Sequence, residues 1–334
     1  MATGKKIIAT AGKYILFLSI TAALLYFCFR DMSFRELLDG LKDADYWWIA
    51  ASMLAGFSAF IVRARRWQLI IQPLGYRPSL RNTYDAVMLT YLANFALPRM
   101  GEIVRCGALR KTEKIPFESS LGTVVMERVF DMVCLLLITI SVVFFRFDTF
   151  GKFFSDNLWQ PFAARITDGN YTILYIIAGV IALPVIAVIA FREKIRQHAI
   201  AVKLKKLWTG LYDGLRAGFR LQQRGKFLSC TVLLWLAYWL QAFTVIKAMP
   251  ETQFLTGVDA LFLMIVGGLG WVAPVQGGMG AYHFFVSLTL FAIYGIPQNH
   301  GVVFATISHE TQAIMMIVFG FISWASVIAG SRRR

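Results

Sequence analysis

Acidic side chains are the scarcest class in this sequence: 19 Asp and Glu stand against 34 Lys and Arg in 334 residues, and all charged residues together make up only 16%. Soluble domains carry about 25%, so too few charges are present to cover an ordinary water-facing surface. Cysteine is nearly as rare. The four residues Cys28, Cys106, Cys134 and Cys230 lie far apart, mostly inside apolar runs, which excludes a disulfide framework and a Cys-rich metal site. No phosphate-binding loop occurs, so no ATP is hydrolysed by these residues, and no nucleophile has a nearby base. The expectation is a protein with no catalytic residues, no cofactor and no metal, and therefore not an enzyme.

What the sequence does have is apolar length, with 57% hydrophobic and 15% aromatic residues gathered into long runs. Residues 14–29, 46–62, 117–145, 171–191, 227–249 and 301–330 read as about six full transmembrane helices of an all-α polytopic membrane protein. The first run follows Lys5, Lys6 and Lys13 but is not succeeded by a small-residue cleavage pattern, so it reads as a retained span. Basic residues concentrate in 1–13, 63–81, 99–118, 192–226 and 332–334, whereas the connections at 30–45, 146–168 and 247–259 are weakly acidic. The positive-inside rule makes the basic side cytoplasmic, with both termini there, in the inner membrane. Residues 192–226, with apolar positions at helical spacing, resemble an amphipathic helix on the inner leaflet. The arginines at 63, 65 and 66 read as headgroup anchors, with Trp67 at the interface. Nucleic acid is excluded as a partner, because the basic residues sit at span ends rather than on one soluble face.

Two segments break the pattern. Residues 82–97 are too short for a span, contain Asp85 and Asn94, and carry basic clusters at both ends. A re-entrant hairpin turning at Pro98 to Gly101 and leaving near Lys114 keeps both clusters inside. Residues 258–296 hold two apolar pieces broken by Gly267, Gly268, Pro274, Gly277, Gly278 and Gly280. Non-helical backbone at membrane depth is tolerated where it is buried in protein or lines a wet cavity, so a cavity is expected at these breaks. The order span, span, broken hairpin, charged span occurs twice, in about 14–145 and 171–330, giving one integral membrane domain of two inverted-topology repeats. Ala96-Leu97-Pro98-Arg99-Met100-Gly101 aligns with Val272-Ala273-Pro274-Val275-Gln276-Gly277, and Glu127-Arg128 with His309-Glu310.

Glu127, Arg128 and Asp131 share a helix face at i, i+3 and i+4 spacing. Arg99 and Arg105 flank Gly101, where backbone can approach a ligand, and guanidinium suits bidentate phosphate contact. His309 and Glu310 are adjacent rather than one turn apart, a spacing that does not suggest a metal site.

Asn94-x3-Pro98-Arg99-x-Gly101-Glu102-x2-Arg105, then Glu127-Arg128-Val-x-Asp131, then Pro274-x2-Gly277-Gly278-x-Gly280, resembles the flippase-like membrane domain of the lysylphosphatidylglycerol synthases, the multiple peptide resistance factors. The resemblance implies an inner-membrane lipid translocase with functional residues at Arg99, Glu102, Arg105, Glu127, Arg128 and Asp131. The second half adds Pro274, Gln276, Gly277, Gly278, Gly280, His283, His309 and Glu310 as the matching part of a lipid-headgroup site that also includes Asn94, Pro98 and Gly101. Those synthases also carry an aminoacyl-transferase domain, which these residues do not include, so lipid aminoacylation is not implied.

The expected function is movement of an anionic, phosphate-bearing membrane lipid between leaflets through a hydrophilic cavity between the halves. Arg99, Arg105 and Arg128 would take the phosphate, while Glu127, Asp131 and Glu310 balance its charge or carry a proton. The competing reading is a polyprenyl-phosphate-dependent glycosyltransferase or its accessory subunit, to which Asp43-Ala-Asp45 adds a weak metal-nucleotide pattern in an outer loop. A carrier of small solutes fits the repeats but not so basic an inner face. Homo-oligomerisation is left open.

Overall fold

A computed structural model of the protein describes residues 17–30, 32–147, 160 and 221–332. The expected span at 171–191 and nearly all of the outer loop at 148–170 and the basic segment at 192–220 lie outside the described residues. Among those described, the chain is helical without strands, and five helices, or six if a bent pair is one span, are long and apolar enough to cross a membrane.

Helix α1 (Phe17–Phe29) and helix α2 (Phe34–Lys42) meet at a 76° bend. The acidic connection expected as a loop therefore contains a helix. Ser33 and Glu36 explain its start: each side chain accepts from the other's backbone N–H, a reciprocal cap. The two aspartates of the Asp43-Ala-Asp45 pattern also terminate helices, Asp43 at the C-cap of α2 and Asp45 at the N-cap of α3, where it accepts from Trp47 N.

Helix α3 (Tyr46–Ile71) runs well beyond its expected end at 62. No helix breaker intervenes before Pro73, and of the three arginines that looked like headgroup anchors Arg63 and Arg66 are inside the protein, as described below, while Arg65 is exposed. A first hairpin follows. Its arms are α4 (Leu80–Ala96), capped by Ser79, and α5 (Gly101–Glu113). Pro98 cannot supply a backbone donor, and Arg99 turns the chain with φ 63°, a left-handed conformation rarely taken by residues other than glycine. The arms pack closely because Gly101 has no Cβ; one would strike Thr90 and the amide oxygen of Asn94.

Helix α6 (Phe117–Phe145) has the bounds that the apolar run predicts. Met132, Leu136, Leu137, Ile140 and Phe144 on it are exposed, an apolar face that belongs in lipid rather than water. After the undescribed stretch come α7 (Arg224–Ala248), the second hairpin formed by α8 (Gly257–Val272) and α9 (Ala281–Tyr294), and the long α10 (Gln298–Arg332).

Packing is reciprocal. Helix α3 lies along α7; α4 packs on α5 and α8 on α9. Helix α6 touches α5 of its own half and α8 of the other, while α10 touches α9 of its own half and α4 of the other. The open end of each hairpin is closed by an acid. Glu113 accepts from Ser79 N, Ser79 Oγ and Asn82 Nδ2 in the first, and Asp259 accepts from Tyr294 Oη in the second. Arg146, which the sequence places in an exposed outer loop, instead donates to Asp259 at 3.0 Å and to Thr256 Oγ1, tying α6 to the second hairpin.

Candidate functional site

Glu127 is the centre of the polar interior. Its Oε1 accepts from Arg63 Nε at 2.9 Å and Arg66 Nη2 at 3.2 Å, and its Oε2 from Arg105 Nη2 at 2.6 Å. Three helices, α3, α5 and α6, thus converge on one fully buried carboxylate. One turn on, Asp131 pairs with Arg66 at 2.6 Å and sits 3.8 Å from Arg63. Arg63 Nη1 also donates to Tyr91 Oη at 2.8 Å. The guanidinium of Arg105 lies 3.6 Å over the Trp67 ring, whose Nε1 donates to Thr123 Oγ1.

Charges in this cluster do not balance. Three guanidiniums, Arg63, Arg66 and Arg105, face two carboxylates, Glu127 and Asp131, leaving one positive charge over. Arg63 Nη2, Arg66 Nε, Arg66 Nη1 and Arg105 Nε are buried without a hydrogen-bond partner among the described residues. Toward the outside, Arg128 pairs with Glu102 at 3.4 Å and with Asp131 at 3.7 Å. The Arg128 side chain is 41% exposed and Asp131 21%, so the cluster reaches the surface there.

Arg63 and Arg66 were missed as site residues, because a basic cluster after an apolar run resembles a headgroup anchor. Their i, i+3 spacing, which matches the i, i+4 spacing of Glu127 and Asp131, was the available signal. Arg105 was expected at an open phosphate site. Its position is a correction: it is fully buried between Trp67 and Glu127. Trp67, expected at the membrane interface, is likewise fully buried.

The two hairpin tips meet. Arg99 Nη2 donates to Val272 O at 2.8 Å, and the rings of Phe95 and Trp271 stand edge to face at 6.2 Å. Where a wet cavity was expected between the tips, they are in direct contact, and a Cβ on Gly277 would collide with the Phe95 ring. Asn94 closes the first tip by accepting from Gly101 N, and Pro98 lies half-buried in its turn. In the second tip Pro274 is exposed, whereas Gly277 (φ 56°), Gly278 (φ 73°) and Gly280 (φ 79°) are buried in a turn of left-handed residues. Gln276 accepts from Thr21 of α1 at 3.0 Å.

His309 lies under the second tip. Its Nε2 is 2.9 Å from Gly277 O, its Nδ1 2.8 Å from Glu310 Oε1, and its ring stacks on Trp271 at 4.8 Å. His283, from the first turn of α9, is 3.9 Å from Glu310 Oε1. A cavity of about 210 Å³ exists elsewhere, lined by Glu36, Asp39, Asp43, Glu251 and His300 among others; its acidic wall suits no phosphate.

Crossing helices with exposed apolar faces, two glycine- and proline-broken hairpins and a buried ion cluster at their base define a polytopic α-helical membrane protein of the hairpin-containing kind. Residues 14–320 match the family described as Lysylphosphatidylglycerol synthase TM region, and the chain belongs to that family. It is similar to the glycosyltransferase AglD of Haloferax volcanii, with 23% identity over 340 residues, covering 93% of this chain and 54% of that protein. It is also similar to the UPF0104 membrane protein MJ1595 of Methanocaldococcus jannaschii, 28% identical over 132 residues, 39% of this chain and 38% of that one. The chain thus spans about half the length, or less, of these curated relatives. No solved structure matches. The expectation that this is not an enzyme is overturned by the first of these similarities, which covers nearly the whole chain and leads to a protein named a glycosyltransferase.

Proposed function

We propose that the protein handles the phosphate-bearing headgroup of a lipid beside its first hairpin and moves that lipid between leaflets. The observation that carries this reading is the excess guanidinium charge behind the hairpin, with four buried nitrogens that have no hydrogen-bond partner among the described residues. A buried donor without a partner costs about 1–3 kcal/mol, so the cluster favours an incoming anion. Arg128 and Arg99, both open to the outside, make first contact with the phosphate, and Arg63, Arg66 and Arg105 supply the field behind them. The two halves act as inverted repeats whose hairpin tips part to let the headgroup pass while acyl chains stay in lipid. The placement of lysine and arginine supports residence in the cytoplasmic membrane with both termini inside.

Reconstitution into liposomes with fluorescent phospholipids or polyprenyl phosphates tests this. At least one lipid class equilibrates between leaflets, and Arg128→Ala slows it about tenfold or more, the worth of one charge-assisted bond. Arg35→Ala, at a side chain 93% exposed, leaves the rate unchanged. Every lipid staying in its leaflet overturns the reading.

The similarity to a protein named a glycosyltransferase favours a second reading, in which the same arginines hold a polyprenyl phosphate for sugar transfer, by this chain or with a partner subunit. A sugar-transfer assay on polyprenyl phosphate in the same liposomes separates the two: turnover without leaflet exchange supports transfer.

A further inference from the structure

His283, His309 and Glu310 bring three ligand atoms within 4.8 Å of one another, under the turn of the second hairpin. We propose that they form a site for one divalent transition-metal ion, with zinc the best match to two imidazoles and one carboxylate.

The hydrogen bonds around His309 point this way. Gly277 O can only accept, so Nε2 of His309 must carry its proton and donate at 2.9 Å. That leaves Nδ1 facing Glu310 Oε1 at 2.8 Å, a lone pair against a carboxylate oxygen. Two such atoms stay that close only with a proton or a metal ion between them. A ligating imidazole characteristically donates its other N–H to a backbone carbonyl, which fixes tautomer and ring plane. Here the stacked Trp271 ring, at 4.8 Å and 21°, adds a second restraint.

A metal fits better than a proton because a third ligand arrives from another helix. His283 Nε2 is 3.9 Å from the same Oε1, whereas a shared proton would need only the pair. Around a tetrahedral ion with bonds near 2 Å, neighbouring ligand atoms are about 3.3 Å apart; the two distances from Glu310 Oε1, 2.8 and 3.9 Å, bracket that separation, and the two imidazole nitrogens, within 4.8 Å, would draw together on a bound ion. His283 is buried, and its Nδ1 has no hydrogen-bond partner among the described residues, so no bond opposes presentation of either ring nitrogen. The Glu310 side chain is 41% exposed, which leaves a fourth position open to water or a phosphate oxygen. Adjacent positions 309 and 310 thus converge in space, although their spacing alone did not suggest it.

The test needs no lipid and is independent of the translocation reading. The full chain, purified in detergent with a tag free of histidine, is stripped with EDTA and titrated with zinc by equilibrium dialysis and elemental analysis. One equivalent per chain is expected, and cobalt in its place gives the visible absorption of a four-coordinate site. Glu310→Gln, at a half-exposed position that the fold tolerates, weakens zinc binding about tenfold or more. His283→Gln does the same, with both variants eluting as the wild type on size exclusion. Substoichiometric zinc in the wild type, as a site holding only a proton would give, overturns the proposal. So does unchanged affinity in folded Glu310→Gln, which would mark the zinc as adventitious.

Discussion

Arg105 rests with its guanidinium 3.6 Å above the ring of Trp67, and neither side chain has appreciable exposed surface. The pair joins α5 to α3, and through Glu127 to α6. Arg105→Lys keeps the charge but loses the planar stack, at a cost of about 2 kcal/mol for a desolvated cation–ring contact. Glu127→Gln strands the buried Arg105 charge and leaves Arg63 and Arg66 to share Asp131, a loss of about 3–5 kcal/mol. Thermal unfolding in detergent therefore ranks Glu127→Gln below Arg105→Lys below wild type. Equal melting temperatures for the two variants would contradict that order.

Gly277 stands at φ 56° against the Phe95 ring, so Gly277→Ala meets both a strained backbone and a collision. The yield of monodisperse protein falls sharply. Adding Phe95→Ala removes the collision and leaves the left-handed backbone, worth about 1 kcal/mol. The double variant is then recovered better than Gly277→Ala alone; no rescue would mean that the tips do not touch as described.

Both ends of the first hairpin open on one side of the membrane if it is re-entrant. In a background without native cysteines, Arg77→Cys and Lys111→Cys, both exposed, label with a membrane-impermeant thiol reagent from the cytoplasmic face. Gln253→Cys and Asn299→Cys label from the opposite face. Asp259, at the end of the weakly acidic connection at 247–259, is only 3% exposed and bound to Arg146, so it would report packing rather than topology. Labelling of positions 77 and 111 from opposite faces would replace the hairpin with a crossing segment.

Helix α6 was legible to the residue, because a long apolar run between Pro116 and the polar segment after Phe145 leaves little choice of ends. The first hairpin was legible for a similar reason, since Pro98 and Gly101 punctuate it where the arms must turn. Arg63 and Arg66 were not. Composition near a span end cannot distinguish a guanidinium reaching up to headgroups from one reaching sideways to a carboxylate more than sixty positions later in the chain. Arg146 was obscured in the same way, its partner Asp259 lying in the other half. The cluster of His283, His309 and Glu310 also depends on a tertiary meeting, that of α9 with α10.

Reciprocal clasping by α6 and α10 limits how this molecule can move. Swinging one half against the other as a rigid body would tear α10 from α4, with its bond from Ser326 Oγ to Asp85, and α6 from α8, with the Arg146–Asp259 pair. It would also shear the long contact of α3 with α7. Parting the hairpin tips sacrifices less: the Arg99 bond to Val272 O and the packing of Phe95 against Trp271 and Gly277. The opening that the proposed function requires is therefore a local hinge at two short turns, set in a frame whose helices stay interlocked.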